Sequence, residues 1–209
     1  KSQDIVIKCQ APFGERHSLA EITAAVTIEG VTLVYPGGDP EVGLGSGKEA
    51  VCLRVRVRGC LTLRDCVVST GAGAGVTASG IAASVKVDTC RVGPCGWEGD
   101  SRHGYGVALL SGAKGDILNT DLYRLGGSGV LCFGEGTTSN VIMCDIGPCI
   151  LSCVAAEGSR SVIQAKQVKS LLSTSHTSEV LKNKKSCTSM RGPCMSIMAN
   201  RCASLRHLI

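Results

Sequence analysis

LRDCVV (63–68), VDTCRV (87–92), LNTDLY (118–123) and VIMCDI (141–146) each open on an aliphatic residue and carry Cys or Asp three positions on. Each is followed by a second apolar element, GVTA (75–78), GVAL (106–109), GVLC (129–132) and CVAA (153–156). The steps from the first element to the valine of the second are 13, 20, 12 and 13 residues, so the second interval holds an insertion. Self-similarity of this kind across Arg58–Ser159, in units built of very short runs, is the mark of a solenoid. Helical repeats are disfavoured, because the runs are short, rich in Val and Gly, and alternate with a period of two. No L-x-x-L-x-L frame with an Asn ladder recurs, which argues against leucine-rich repeats. The reading is an all-β, single-stranded right-handed parallel β-helix of the pectin-lyase-like kind, with coils about 4.8 Å apart.

Residues 24–159 are assigned to this β-helix, with about five coils. Residues 1–23 form an N-terminal strand, DIVIK (4–8), and a loop leading into the stack. AVTIEGVTLV (25–34) is the first coil, with Ile28, Val31 and Leu33 where Leu63, Cys66 and Val68 fall later. PGGDPEVGLGSG (36–47) is built of turn residues and reads as a mobile surface loop. Residues 160–209 are expected to be a poorly ordered tail with room for one more strand, SVIQAKQV (161–168), and a short helix, HTSEVLKNKK (176–185).

Composition agrees with a narrow core. Of the 209 residues 44% are apolar but only 3% aromatic, and 27 are glycines able to turn tight corners. Lys1 stands where an initiator Met would, so the chain is expected to be a fragment or a processed product. The cysteines number 13, an odd count, and no signal-peptide pattern precedes them. Cys66, Cys90 and Cys144 recur at one repeat position, as do Cys95 and Cys149 in VGPC (92–95) and IGPC (146–149). They read as ladders of small buried thiols, which implies a reducing, cytoplasmic compartment. No apolar run is long enough to cross a membrane as a helix. The net charge of +5 is mild.

Several segments resemble the β-helix region of the SHC SH2-domain-binding protein family, which is related to the β-helix repeats of certain F-box proteins. They are DIVIK, AVTIEGVTLV, EAVCLRVRVRGCLTLRDCVV, GAGVTAS, NTDLYRLGGSGV and CDIGPC, in the family's order across residues 4–150. The NTDLY…GxGV unit is the most specific of them. The resemblance implies a non-enzymatic intracellular interaction or scaffold domain in adaptor signalling or in cell-division machinery associated with the spindle and cytoskeleton. The chain departs from the family pattern after Ser159, where further coils are expected, and no partner-binding residue carries over.

The alternative is a carbohydrate-active enzyme, a polysaccharide lyase or hydrolase on the same fold. Such a lyase needs clustered outer carboxylates for Ca²⁺ and a basic residue to take a proton. The repeat alignment puts Arg64, Asp88 and Asn119 in one outward column with Arg91 close by, and that column has a single carboxylate. GLGSGKEA (43–50) has Glu49 where a phosphate-binding loop needs Ser or Thr, and GAGAG (71–75) reads as a corner. Cys187, Cys194, Cys202 and His207 lack the close C-x₂₋₄-C pair of a zinc site. No catalytic, cofactor or metal residue is therefore assigned.

Two places stand out for a protein partner. VCLRVRVRG (51–59) alternates strictly, so Leu53, Val55 and Val57 are expected inward and Arg54, Arg56 and Arg58 in a row on the outer wall. The row either meets an acidic partner or keeps an exposed sheet soluble. The insertion PCGWEGDSRHGYG (94–106) presents Trp97, His103 and Tyr105, either as a contact loop or folded over apolar surface. Without stacking aromatics on the arginine face, nucleic acid is not expected. The partner's identity and the oligomeric state stay open.

Overall fold

The computed structural model describes residues 5–8, 18–36, 51–97 and 103–170. Among them the chain forms nineteen strands in three parallel sheets and no helix. Sheet A stacks β1 (Ile5–Lys8), β4 (Val31–Tyr35), β7 (Val67–Thr70), β10 (Arg91–Cys95), β13 (Asp121–Leu122), β16 (Asp145–Ile146) and β19 (Lys169–Ser170) in that order. Sheet B stacks β2 (Ser18–Ile22), β5 (Val51–Val55), β8 (Ala74–Ser79), β11 (Val107–Leu110), β14 (Ser128–Phe133) and β17 (Ser152–Glu157). Sheet C stacks β3 (Ala25–Glu29), β6 (Cys60–Arg64), β9 (Ser84–Asp88), β12 (Lys114–Leu118), β15 (Thr138–Ile142) and β18 (Val162–Lys166). The chain visits B, C and A in turn, which makes a parallel β-helix.

Six such turns run from Ser18 to Ser170, and β1 pairs with the first of them. That is one coil more than the sequence reading assigned to residues 24–159. Val162–Lys166 and Lys169–Ser170 extend sheets C and A into the stretch expected to be tail. The loop read at 36–47 beyond Pro36, the proposed helix at 176–185 and the tail cysteines lie outside the described residues.

The stack has a dry axis. Leu53, Val76, Val107 and Val130 share an inward column and are buried, with Val154 half-buried above them. Leu63, Val87, Ile117 and Val141 form the facing column from sheet C. In the fourth coil Gly115 leaves space that Leu109 fills, since a Cβ there would lie 2.5 Å from Leu109 Cδ1.

This pairing moves one repeat by a residue. Leu118 pairs with Asp88 and Ile142, so it is Ile117 that matches Leu63, Val87 and Val141. The steps to the inward valine become 13, 20, 13 and 13 residues. The residue equivalent to Cys66, Cys90 and Cys144 is consequently Thr120, not Asp121.

Between sheets C and A the backbone turns sharply through one left-handed residue per coil: Gly30, Asp65, Thr89, Asn119, Met143 and Gln167, with φ from 48° to 68°. The residue after it is the ladder position. Cys66, Cys90, Thr120 and Cys144 each donate to the carbonyl two residues back, at 3.1, 3.2, 2.7 and 3.3 Å. The same side chains accept from the coil before: Cys66 N–H donates to Cys90 Sγ at 3.5 Å and Cys90 N–H to Thr120 Oγ1 at 3.3 Å. The ladder therefore satisfies buried amides at the corner as well as filling space. A threonine replaces cysteine there because its hydroxyl has the same donor and acceptor roles in a similar volume.

Thr120→Val should leave the Cys90 N–H unpaired and cost about 1–3 kcal/mol in urea unfolding, while Thr120→Cys should cost clearly less. Equal losses for the two variants would show that the hydroxyl acts by volume alone.

Burial pushes the Cys90 thiol up to about 11, and those of Cys95 and Cys132 to about 12. From an ordinary value of 9.0, the unfolded chain loses these protons while the folded chain keeps them. Stability contributed in this way is complete below pH 9 and falls as pH rises toward 11–12. Cys95→Ala should flatten the decline in that window, measured by urea unfolding at successive pH values.

Candidate interaction surface

The arginine row is not a row. Leu53 and Val55 point inward as expected, and Arg54 lies on the opposite side of β5, paired in register with Glu21 and Thr77. Yet Arg54 is only 3% exposed, because the outer side of sheet B is itself buried at Thr77, Ala108, Leu131 and Ala155. Tyr105, 9% exposed, joins Ala74, Ala108, Leu131 and Ala155 in a second apolar cluster. Its phenol is pushed up by burial and, secondarily, by Glu157. Tyr105 is thus a core residue of this outer layer rather than a docking aromatic. Trp97 and His103 are half-buried where the described chain breaks off and resumes, with residues 98–102 outside it.

Alternation ends at Val55. Residues 56–59 form a turn in which Gly59 N–H donates to Arg56 O at 2.8 Å, and Arg58 has φ 67°. Arg58 belongs to a second left-handed column, Arg58, Ala82, Gly112, Gly136 and Arg160, which carries the chain from sheet B into sheet C. The turn rotates Val57 away from the axis, so Val57 is 58% exposed instead of buried. Arg56 is exposed but held by Glu21, with Nη2 2.7 Å from Oε1 and Nε 3.3 Å from Oε2. That hydrogen bond holds the Glu21 carboxyl below its usual range, aided by the charges of Arg56 and Arg54 and opposed by burial.

What this corner presents instead is apolar. Ile81 is 80% exposed and Phe133, at the end of β14, is 51% exposed. Val57 leans over Gly80, where a Cβ would lie 2.5 Å from its Cγ2, and Ile81 leans over Gly112 at 3.1 Å. Glycine in each following coil gives these side chains a shelf, which holds them in place against the backbone.

The column weighed for catalysis is rearranged as well. Asp88 pairs with Arg64 on one side and Leu118 on the other, and Asn119 sits one residue on from Leu118, at the left-handed corner. Asn119 Nδ2 donates to Asp88 Oδ1 at 3.0 Å, Thr89 Oγ1 donates to it at 3.2 Å, and Lys86 Nζ is 3.9 Å from Oδ2. Arg64 faces Glu29 at 3.8 Å, and Asn140 Nδ2 donates to Asp116 at 2.7 Å. Arg91 lies over the Tyr123 ring, 4.3 Å from its centroid. These side chains tie neighbouring coils together along the outer wall. An open groove lined by Asp65, Thr89, Asn119, Arg91 and Asp121 runs beside them. Among the described residues no group of three or more His, Cys, Asp or Glu is placed to hold a metal ion. No helix there is long and apolar enough to cross a membrane.

Comparison with protein-family models, curated proteins and solved structures finds no match.

Arg54→Glu should destabilise the fold by about 3–5 kcal/mol, since it places a carboxylate in a buried position built for a cation. Arg58→Glu should stay within about 0.5 kcal/mol of the parent. Thermal or urea unfolding of the two single variants distinguishes the buried arginine from the surface one.

Proposed function

We propose that this β-helix is a non-enzymatic interaction module that docks a protein partner along the corner between sheets B and C. The observation that carries the reading is the exposure of Val57 and Ile81 at equivalent turn positions of consecutive coils, with Phe133 exposed two coils further along and Arg58 exposed next to Val57. Rigid apolar anchors cost little entropy on binding, and binding energy concentrates on such anchors. Arg58 and the net charge of +5 favour an acidic partner, while Arg56 is already engaged by Glu21. The resemblance to the SHC SH2-domain-binding protein family supports a setting in intracellular adaptor signalling or spindle-associated machinery. Free, buried ladder cysteines support a reducing compartment.

A photo-crosslinking residue at position 81 should give a discrete protein adduct in cells. The adduct should disappear with Val57→Asp or Arg58→Glu, and the same probe at position 140 on sheet C should give none. Identical adducts from both positions, or none from position 81, would remove this corner as a docking site. Unsaturated product from pectin or alginate with Ca²⁺ would replace the module with a lyase.

A further inference from the structure

The residue just before the inward column Leu53, Val76, Val107, Val130 and Val154 is Cys52, Gly75, Gly106, Gly129 and Cys153 in successive coils. The corner is crowded where glycine occupies it. A Cβ on Gly75 would lie 2.8 Å from Val92 Cγ1 and 3.3 Å from Cys95 Sγ. The end of sheet A facing this corner carries Cys95, Leu125 and Cys149 in register. Cys95 therefore meets backbone, at Gly75 and Thr70, and is wholly buried.

Cys149 meets something else. Its sulfur sits at the Gly129 N–H, and the residue stacked on Gly129 in the sixth coil is Cys153. The two thiols hydrogen-bond to each other. Cys153 Sγ also lies 3.1 Å from Ser170 Oγ and 3.7 Å from Ile146 O. Both cysteines are only half-buried, unlike Cys66, Cys90, Cys95, Cys132 and Cys144.

We propose that Cys149 and Cys153 form a thiol–disulfide exchange site, with Cys153 as nucleophile, Cys149 as resolving thiol, and a low-molecular-weight disulfide as co-substrate. The Cys153 thiolate attacks one sulfur of the disulfide R–S–S–R, whose S–S bond breaks, and one thiolate RS⁻ leaves and takes up a proton. Cys149 then gives up its proton and attacks the Cys153 sulfur, expelling the second RS⁻. The pair is oxidised by two electrons and the co-substrate is reduced to two RSH. The groups acting on Cys153 are Cys149 first and Ser170 after burial, and their hydrogen bonds outweigh burial to lower its thiol below the ordinary range. The same contact, with burial, drives Cys149 upward. Thiolate character is thus favoured at Cys153, beside its resolving partner.

The test is to incubate the full chain with oxidised glutathione, alkylate, and map the cysteines by mass spectrometry. In wild type Cys149 and Cys153 should both become protected from alkylation and be found joined to each other, while Cys95 stays reduced. Cys149→Ser should stop with glutathione on Cys153, and Cys153→Ser should leave Cys149 unmodified. In the reduced wild type, the rate of Cys153 alkylation should level off at a lower pH than an ordinary thiol requires. The proposal falls if both thiols survive conditions that modify the exposed Cys60, if glutathione remains on Cys153 in wild type, or if Cys95 reacts equally. Should Cys149→Ser fail to fold, the wild-type mapping decides alone.

Discussion

Each coil rests on the next through parallel backbone hydrogen bonds, and this stacking governs what every column can hold. Its demands are severest at the corners, where the chain leaves one sheet and a buried N–H loses its strand partner. At the corner between sheets C and A the answer is a side chain of fixed size carrying both a donor and an acceptor. Cysteine meets it at residues 66, 90 and 144 and threonine at 120. The preceding left-handed residue sets that side chain's aim. Asp65 and Asn119 adopt such a backbone readily, whereas Thr89 and Met143 hold it because the coils on either side impose it.

The same stacking explains which part of the fold was legible in the sequence. Inward columns demand aliphatic residues at equal spacing, so Val76, Val107, Val130 and Val154 announced themselves, as did the match of Ile28, Val31 and Leu33 to Leu63, Cys66 and Val68. The slip at residues 117–118 has a physical origin. Ile117 and Leu118 are both aliphatic, so hydrophobicity could not choose between them, and Asp121 looked like a ladder member while the true member was a polar isostere. The sixth coil is legible only as room for one more strand at 161–168, because Ala165 stands where the inner coils place Leu63, Val87, Ile117 and Val141, and the exposed Val162 blurs the alternation.

The interaction surface was less legible, for two reasons. Strict alternation separates the two sides of a strand but does not say that one side faces water. Arg54 is on the outer side and buried, because GVTA, GVAL, GVLC and CVAA are nearly continuous apolar runs, the pattern of a sheet covered on both faces. That pattern was present in the sequence and is the signal that would have placed Tyr105 in a core. Alternation also says nothing of where a strand stops. Gly59 and the left-handed Arg58 end β5 early, and two residues of turn are enough to send Val57 outward.

One residue type consequently does three kinds of work in this stack. Where the sulfur's hydrogen-bond partners are backbone groups, as at Cys66 and Cys90, the thiol is a hydrogen-bonding spacer and burial keeps the proton on sulfur at Cys90. Where the neighbour is glycine, as at Cys95, it is packing volume with the proton held still more tightly. Where the neighbour is a second thiol, their hydrogen bond lowers the acidity of one sulfur and raises that of the other. The corners of Cys95 and Cys149 therefore differ at a single position in the following coil, glycine at 106 against cysteine at 153.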